Sequence, residues 1–169
     1  MNSESTWITS TTWTTEASGA RTGESFRRSM PTEGEHGALW LAAGLAGAAV
    51  DRGRRGVWLR GAALTVGAHV VSMGVKRVVR RPRPTHVQPL VRTAGRHSFP
   101  SSHATSAAAA AVAYGTLGAY AIPPLAAAVC LSRLVVGVHY PSDVAAGAAL
   151  GALTARVGAA WMRRGSAHD

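Results

Sequence analysis

The stretch 104–121, ATSAAAAAVAYGTLGAYA, carries no charged residue on any helical face. A soluble bundle helix keeps a polar face at a 3.6-residue period, so this stretch has no side to offer to water. Four further apolar stretches accompany it, at 36–50, 57–75, 123–138 and 144–162. A membrane-spanning helix needs about 20 residues, within a range of about 17–25. The stretches at 57–75, 104–121 and 144–162 meet that length directly. The fourth does so with Arg133 among the headgroups, and 36–50 is short and needs help from its flanks. The expected fold is an all-α, polytopic membrane bundle of about five transmembrane helices. GAALG at 147–151 has a small-xxx-small spacing that lets helix backbones approach closely, although alanine and glycine are abundant throughout. Trp40, Trp58 and Trp161 fall near segment ends, where indoles favour the membrane interface.

The chain divides into three parts. Residues 1–35 are rich in Ser, Thr and Glu and hold no apolar run. They read as a mobile or interfacial tail, touching the headgroups through Trp7, Trp13 and Phe26, and not as a secretory signal. Residues 36–164 form the transmembrane domain, and 165–169 a short C-terminal tail. Cys130 is the only cysteine, so no intrachain disulfide forms, and its apolar surroundings suit a buried, inert thiol. His69, inside the second segment, reads as a packing histidine.

The net charge of +10 calls for an anionic partner: nucleic acid, anionic lipid or a phosphorylated substrate. Basic residues here flank apolar spans and lack interleaved aromatics, which argues against nucleic acid. The arginine excess carries no weight by itself. The position of Lys76 is more informative, because it is the only lysine among 18 Lys and Arg residues.

If all five segments cross, their ends alternate between sides. Lys76, His103, Arg133 and Asp143 then share one face. Three clusters meet there. In KRVVRRPRP, 76–84, Pro82 and Pro84 should end the helix. Arg77, Arg80 and Arg81 suit headgroup anchoring, while Lys76 and Arg83 have partners elsewhere. In SFPSSH, 98–103, Ser101 is a good N-cap, and a helix N-terminus presented this way is an anion site. His103 sits inside the first turn, able to donate a proton to a leaving group. In SRLVVGVHYPSD, 132–143, Arg133 offers a planar fork suited to phosphate oxygens. His139 and Asp143 are four apart and share a face if helical. A carboxylate that accepts the Nδ1 proton leaves Nε2 as an oriented nucleophile. Each cluster alone has an ordinary explanation in a cap, an anchor or a solvated pair; together they do not. His103, His139 and Asp143 could also make a two-His, one-carboxylate metal site. Lys76, Arg83 and Arg133 would repel a cation from it, so neither a metal nor another cofactor is expected.

Lys76-x6-Arg83-Pro84, Pro100-Ser101-Ser102-His103 and Ser132-Arg133-x5-His139-x3-Asp143 resemble the three-part signature of the type 2 phosphatidic acid phosphatase (PAP2) superfamily. That group includes lipid phosphate phosphatases and the vanadium haloperoxidases. The resemblance spans residues 76–143 in the right order with every spacing met. It implies a phosphohistidine formed on His139, oriented by Asp143. His103 would be the general acid for the leaving group and then the base for water. Lys76, Arg83, Ser101, Ser102 and Arg133 would hold the phosphoryl oxygens. There are two departures: glycine is usual where Ser102 stands, and many bacterial members have six membrane segments.

The implied activity is metal-independent hydrolysis of the terminal phosphate of a lipid phosphate or diphosphate. Phosphatidic acid, phosphatidylglycerol phosphate, polyprenyl diphosphates and polyprenyl-phosphate-linked sugar phosphates are the substrates the family suggests. A small Arg- and Ala-rich chain looks like actinobacterial members that act on polyprenyl carriers in envelope assembly. Two rivals stand beside this: a non-catalytic anionic-lipid-binding membrane protein that keeps the pocket, and peroxidase chemistry with bound vanadate, which the short hydrophobic chain argues against. DRGRRG at 51–56 and RR at 163–164 lie opposite the site. The positive-inside tendency favours a cytoplasmic side for these and an extracytoplasmic side of the cell membrane for the site, although the site side carries even more arginines, some of them held there by phosphate rather than topology.

Overall fold

Alanine sets the geometry of this bundle. The computed structural model describes residues 35–85 and 95–163; the readings made for the N-terminal tail, with Trp7, Trp13 and Phe26, and for 165–169 lie outside them. The helices are α1 (Glu35–Val50), α2 (Arg55–Val79), α3 (Ser102–Gly115), α4 (Ile122–Val135) and α5 (Pro141–Arg163), with a 3-10 turn at Arg52–Arg54. Among the described residues the regular structure is all-α, apart from an isolated bridge between Pro82 and His97. Helix α3 is the axis of the bundle and packs against each of the other four α-helices. Its Ala104, Ala107, Ala109, Ala110 and Ala113 are all buried. Alanine loses no side-chain entropy in a helix and lets neighbouring axes come close. That is why 104–121 shows no polar face: α3 is enclosed by protein.

The closest approach is between α3 and α5. A Cβ at Gly147 would lie 2.5 Å from the Ser101 carbonyl oxygen, and one at Gly151 would strike the Thr105 carbonyl. The small-xxx-small pair thus seats one backbone on another.

Helix ends differ from the expected ones for local reasons. Helix α3 stops at Gly115, and the chain turns through Gly118 at φ 93°. Helix α4 then starts at Ile122 with proline in its first turn, where the missing N–H costs nothing. Helix α2 outruns its apolar stretch to Val79 and ends at Arg80, in the left-handed region at φ 53°. Pro82 follows, excluding further helix.

At 25 and 23 residues, α2 and α5 measure about 37 and 34 Å, enough for a hydrocarbon core of about 30 Å. The segments Arg52–Val79 and Pro141–Arg163 are long and apolar enough to cross a membrane. Helices α1, α3 and α4 have 16, 14 and 14 residues, so two of the five expected spans meet the length requirement alone. Outward-facing Leu45, Val66, Val70, Leu131, Leu153 and Val157 are exposed. An apolar surface distributed over α1, α2, α4 and α5 suits lipid and not water.

At the end remote from the three clusters, Trp58 stacks on Tyr114 with centroids 5.5 Å apart. The Tyr114 hydroxyl donates to the Trp40 carbonyl at 3.0 Å. Trp40 and Trp58 are therefore core residues and not interfacial anchors, because Gly44 and Gly47 leave room for Tyr114 and the Trp58 ring. Trp161 is exposed. The Trp58 indole donates to Asp51 at 3.2 Å, and this bond, with those from Arg54, holds the Asp51 carboxyl below its usual range. Its stabilising effect is present at neutral pH and is lost as pH falls through that lowered value.

The packing generates a test. Gly151→Val should lower the thermal unfolding temperature, since overpacking costs about 1–3 kcal/mol or more against backbone. Gly74→Ala, where an added Cβ meets nothing within 4 Å, should leave that temperature unchanged or slightly raise it.

Candidate active site

The C-termini of α2 and α4 and the N-termini of α3 and α5 lie at the same end of the bundle. Lys76, in the last turn of α2, is buried, and its Nζ donates to Ser102 Oγ at 3.3 Å. Ser101 is the N-cap of α3: its Oγ accepts from the Ala104 N–H at 3.4 Å. Its own N–H donates to the Asp143 carbonyl at 2.9 Å, tying the start of α3 to the first turn of α5. First-turn amides of a helix point outward along the axis, where an anion is stabilised. His103 is buried in that turn.

Asp143 is fully buried. Its Oδ2 accepts from the Tyr140 N–H at 2.9 Å, the reach-back of a capping box, and Pro141 occupies the first helical position. Its Oδ1 accepts from Arg81 Nη1 at 3.0 Å. His139 Nδ1 lies 3.6 Å from Oδ2. The His139–Asp143 pair is thus brought together as expected, with one correction. His139 precedes α5 and the two do not share a helical face, because Pro141 starts the helix after it. Gly137, at φ 71°, supplies the turn that delivers Val138 and His139.

The segment after α2 is pinned to the segment before α3. The Ser98 N–H donates to the Arg81 carbonyl at 2.8 Å, and Ser98 Oγ to the Pro82 carbonyl at 2.9 Å. Arg83 Nε donates to the Gly95 carbonyl at 2.9 Å and Nη1 to the Val138 carbonyl at 3.0 Å, so Arg83 braces the backbone beside His139. Arg133 is in the last turn of α4, half-buried, with Nε donating to Ser132 Oγ at 3.2 Å. The geometry therefore joins Lys76 with Ser102, Ser101 with Asp143, Asp143 with His139, and Arg83 with the His139 loop. Arg133 stands in the last turn of α4, six residues before His139 in the chain.

Arg81 is the residue that sequence reasoning missed. It donates to Ser142 Oγ at 2.8 Å as well as to Asp143, and its guanidinium lies 4.1 Å over the Tyr140 ring. It is a partner of the buried carboxylate and not a headgroup anchor. Nothing in the arginine run singles it out; only its place beside Pro82, where the chain must turn, hints at a loop role. Ser98 was likewise unmarked.

The PAP2 superfamily profile matches residues 57–166, a span that contains all three clusters, and the chain belongs to that superfamily. It is 46% identical over 127 residues to the decaprenylphosphoryl-5-phosphoribose phosphatase of Mycolicibacterium smegmatis, covering 71% of this chain and 68% of that protein. To the enzyme of the same name from Mycobacterium tuberculosis it is 45% identical over 132 residues, covering 74% and 72%. To the lipid A 1-phosphatase of Rhizobium etli it is 39% identical over 88 residues, covering 46% and 38%. No solved structure matches the chain. Its apolar helices and its family together make it a membrane protein.

Removing one partner of a buried ion pair costs about 3–5 kcal/mol, less where a partner reaches solvent as Arg81 does. Arg81→Ala should therefore lower kcat about tenfold or more with a smaller change in KM. Arg81→Lys should recover part of the loss, since an ammonium can pair with Asp143 but cannot also span Ser142 and stack on Tyr140 as a planar fork does. Steady-state kinetics of the two variants decide this.

Proposed function

We propose that this protein is a lipid phosphate phosphatase that removes the terminal phosphate of a polyprenyl-phosphate-linked sugar phosphate. The buried His139–Asp143 pair, set against the Ser101–His103 helix end, carries the reading. The two mycobacterial relatives, named for decaprenylphosphoryl-5-phosphoribose, support the substrate class.

In the proposed reaction, Asp143 accepts the Nδ1 proton of neutral His139, directing the Nε2 lone pair at phosphorus. The N–P bond forms as the ester P–O bond breaks, and the protonated His103 gives its proton to the leaving oxygen. Water then attacks the phosphohistidine; His103 takes its proton, and the N–P bond breaks to release inorganic phosphate. The transferring phosphoryl group needs charge stabilisation more than further covalent chemistry. Lys76, Arg133, the amide and hydroxyl of Ser102 and the hydroxyl of Ser101 supply it, and Arg83 contributes charge while bracing the His139 loop. This set of cations needs no metal. All five helices cross, with the short α3 shielded from lipid by its neighbours, and the site opens on the extracytoplasmic side.

Purified protein given decaprenylphosphoryl-5-phosphoribose, polyprenyl diphosphate or phosphatidic acid should release inorganic phosphate in EDTA. His139→Ala should lose at least about a thousandfold. Equal inertness of wild type and variant across that panel would leave an anionic-lipid-binding protein instead. The log rate should show a bell-shaped pH dependence, one limb from each histidine. For sidedness, Arg96→Cys in a Cys130→Ala background should react with an impermeant maleimide in intact cells; labelling only after lysis would place the site inside.

A further inference from the structure

The end of the bundle remote from the histidines carries two charges that no described residue answers. Helix α5 runs from Asp143 in its first turn to Arg163 in its last. Arg156 stands thirteen residues after Asp143, about 20 Å along the axis, and Arg163 about 30 Å. A hydrocarbon core is about 30 Å thick. With Asp143 at one headgroup layer, Arg163 meets the other, and Arg156 lies about 10 Å short of it. Both arginines are exposed on the outer surface of the helix. An arginine at that depth is rare and needs an anionic partner. Its Cα–Cβ bond leans toward the helix N-terminus, away from the nearer headgroups, so snorkelling alone serves it poorly.

Other arginines at this end show what an answered charge looks like. Arg60 Nε donates to the Met162 carbonyl at 3.0 Å, one of the carbonyls that the end of α5 leaves open. Arg54 Nε donates to Asp51 at 2.7 Å. Arg156 and Arg163 have no hydrogen bond or ion pair among the described residues. The described carboxylates are Glu35, Asp51 and Asp143. Glu35 and Asp143 stand in the first turns of α1 and α5, at the opposite end, and Asp51 is taken by Arg54 and Trp58. Arg156, Ala159, Ala160 and Arg163 have the i, i+3, i+4, i+7 spacing of one helical stripe. The alanine methyls leave the space between the two guanidiniums open. Toward the membrane centre the stripe continues through exposed Leu153 and Ala149. Two planar forks suit the oxygens of a phosphate, and the apolar track beyond them suits an acyl chain.

We infer that Arg156 and Arg163 form a binding site for the phosphodiester of an anionic phospholipid in the leaflet remote from the histidines. Phosphatidylglycerol has the required chemistry, with one negative charge on its phosphate and none to offset it. The site lies outside the proposed reaction, and it stands or falls independently of the phosphatase reading.

Native mass spectrometry of the full chain in dodecyl maltoside micelles, titrated with dioleoylphosphatidylglycerol or dioleoylphosphatidylcholine, tests this. Wild type should bind phosphatidylglycerol saturably and prefer it to phosphatidylcholine. Arg156→Leu and Arg163→Gln should each weaken phosphatidylglycerol binding about tenfold, the weight of one charge-assisted hydrogen bond. Arg52→Gln removes an exposed arginine at the same end but off the stripe. It should weaken binding less than about twofold at about 0.15 M salt, which screens such charges. The catalytic end can also take a phosphate, but equally in every variant, so the differences report the remote site. Equal losses in all three variants mean summed surface charge and overturn the site, as does unchanged binding in Arg156→Leu. Thermal unfolding supplies a second readout and certifies folding. In lipid-free micelles Arg156→Leu should unfold at or above the wild-type temperature, because an unanswered charge is gone. Added phosphatidylglycerol should raise the unfolding temperature of wild type and leave that of Arg156→Leu where it was; an equal rise in both refutes the site. A dimer mass that Arg156→Leu abolishes, with bound lipid unchanged, would assign the counter-charge to a second copy of the chain and overturn the lipid site.

Discussion

The buried carboxylate of Asp143 is what the polar end of this bundle is organised around. A charge this deep must be compensated or it destabilises the fold. Compensation comes from three directions: the Arg81 guanidinium after α2, the Tyr140 amide in front of α5, and the His139 ring held 3.6 Å away. The backbone carbonyl of the same residue receives the Ser101 N–H, the cap of α3. One residue thus couples the loop after α2, the start of α3 and the start of α5. The groups proposed to act on phosphate inherit their positions from that coupling.

Small residues make the coupling possible. Gly147 and Gly151 let α5 rest on the Ser101 and Thr105 carbonyls, at the level where Ser101 caps α3. Had those positions carried side chains, the α3 N-terminus would stand away from Asp143, and the Ser101–Asp143 bond could not form. Close helix packing and site geometry are the same contact seen at two scales. The Ser102 hydroxyl, at the position where the family motif usually has glycine, adds a local feature by receiving the Lys76 ammonium.

Much of this was legible in the sequence, for physical reasons that differ by residue. The all-helical architecture follows from long apolar runs broken by glycine and proline, and the pairing of distant clusters at one end follows from alternation of segment direction. The Ser101 cap and the His139–Asp143 proximity follow from spacing. Arg81 did not, because one arginine in KRVVRRPRP looks like another until the chain's path after Arg80 is known. Trp40 and Trp58 misled for a related reason: an indole near a segment end suits the interface, and only Gly44 and Gly47 on a neighbouring turn reveal a core slot for aromatic rings. The enclosure of α3 was also hidden, since absence of charge looks the same against lipid as against protein.

The enclosed alanine helix has a consequence for how products part. With Ala104, Ala107, Ala110 and Ala113 buried along its length, α3 is closely packed behind His103. In the proposed reaction, water arrives and inorganic phosphate departs at the end of the bundle where Arg83 and His139 lie. The dephosphorylated lipid of that proposed reaction stays with the membrane. The two products then part into different phases, so recapture of both at once is rare.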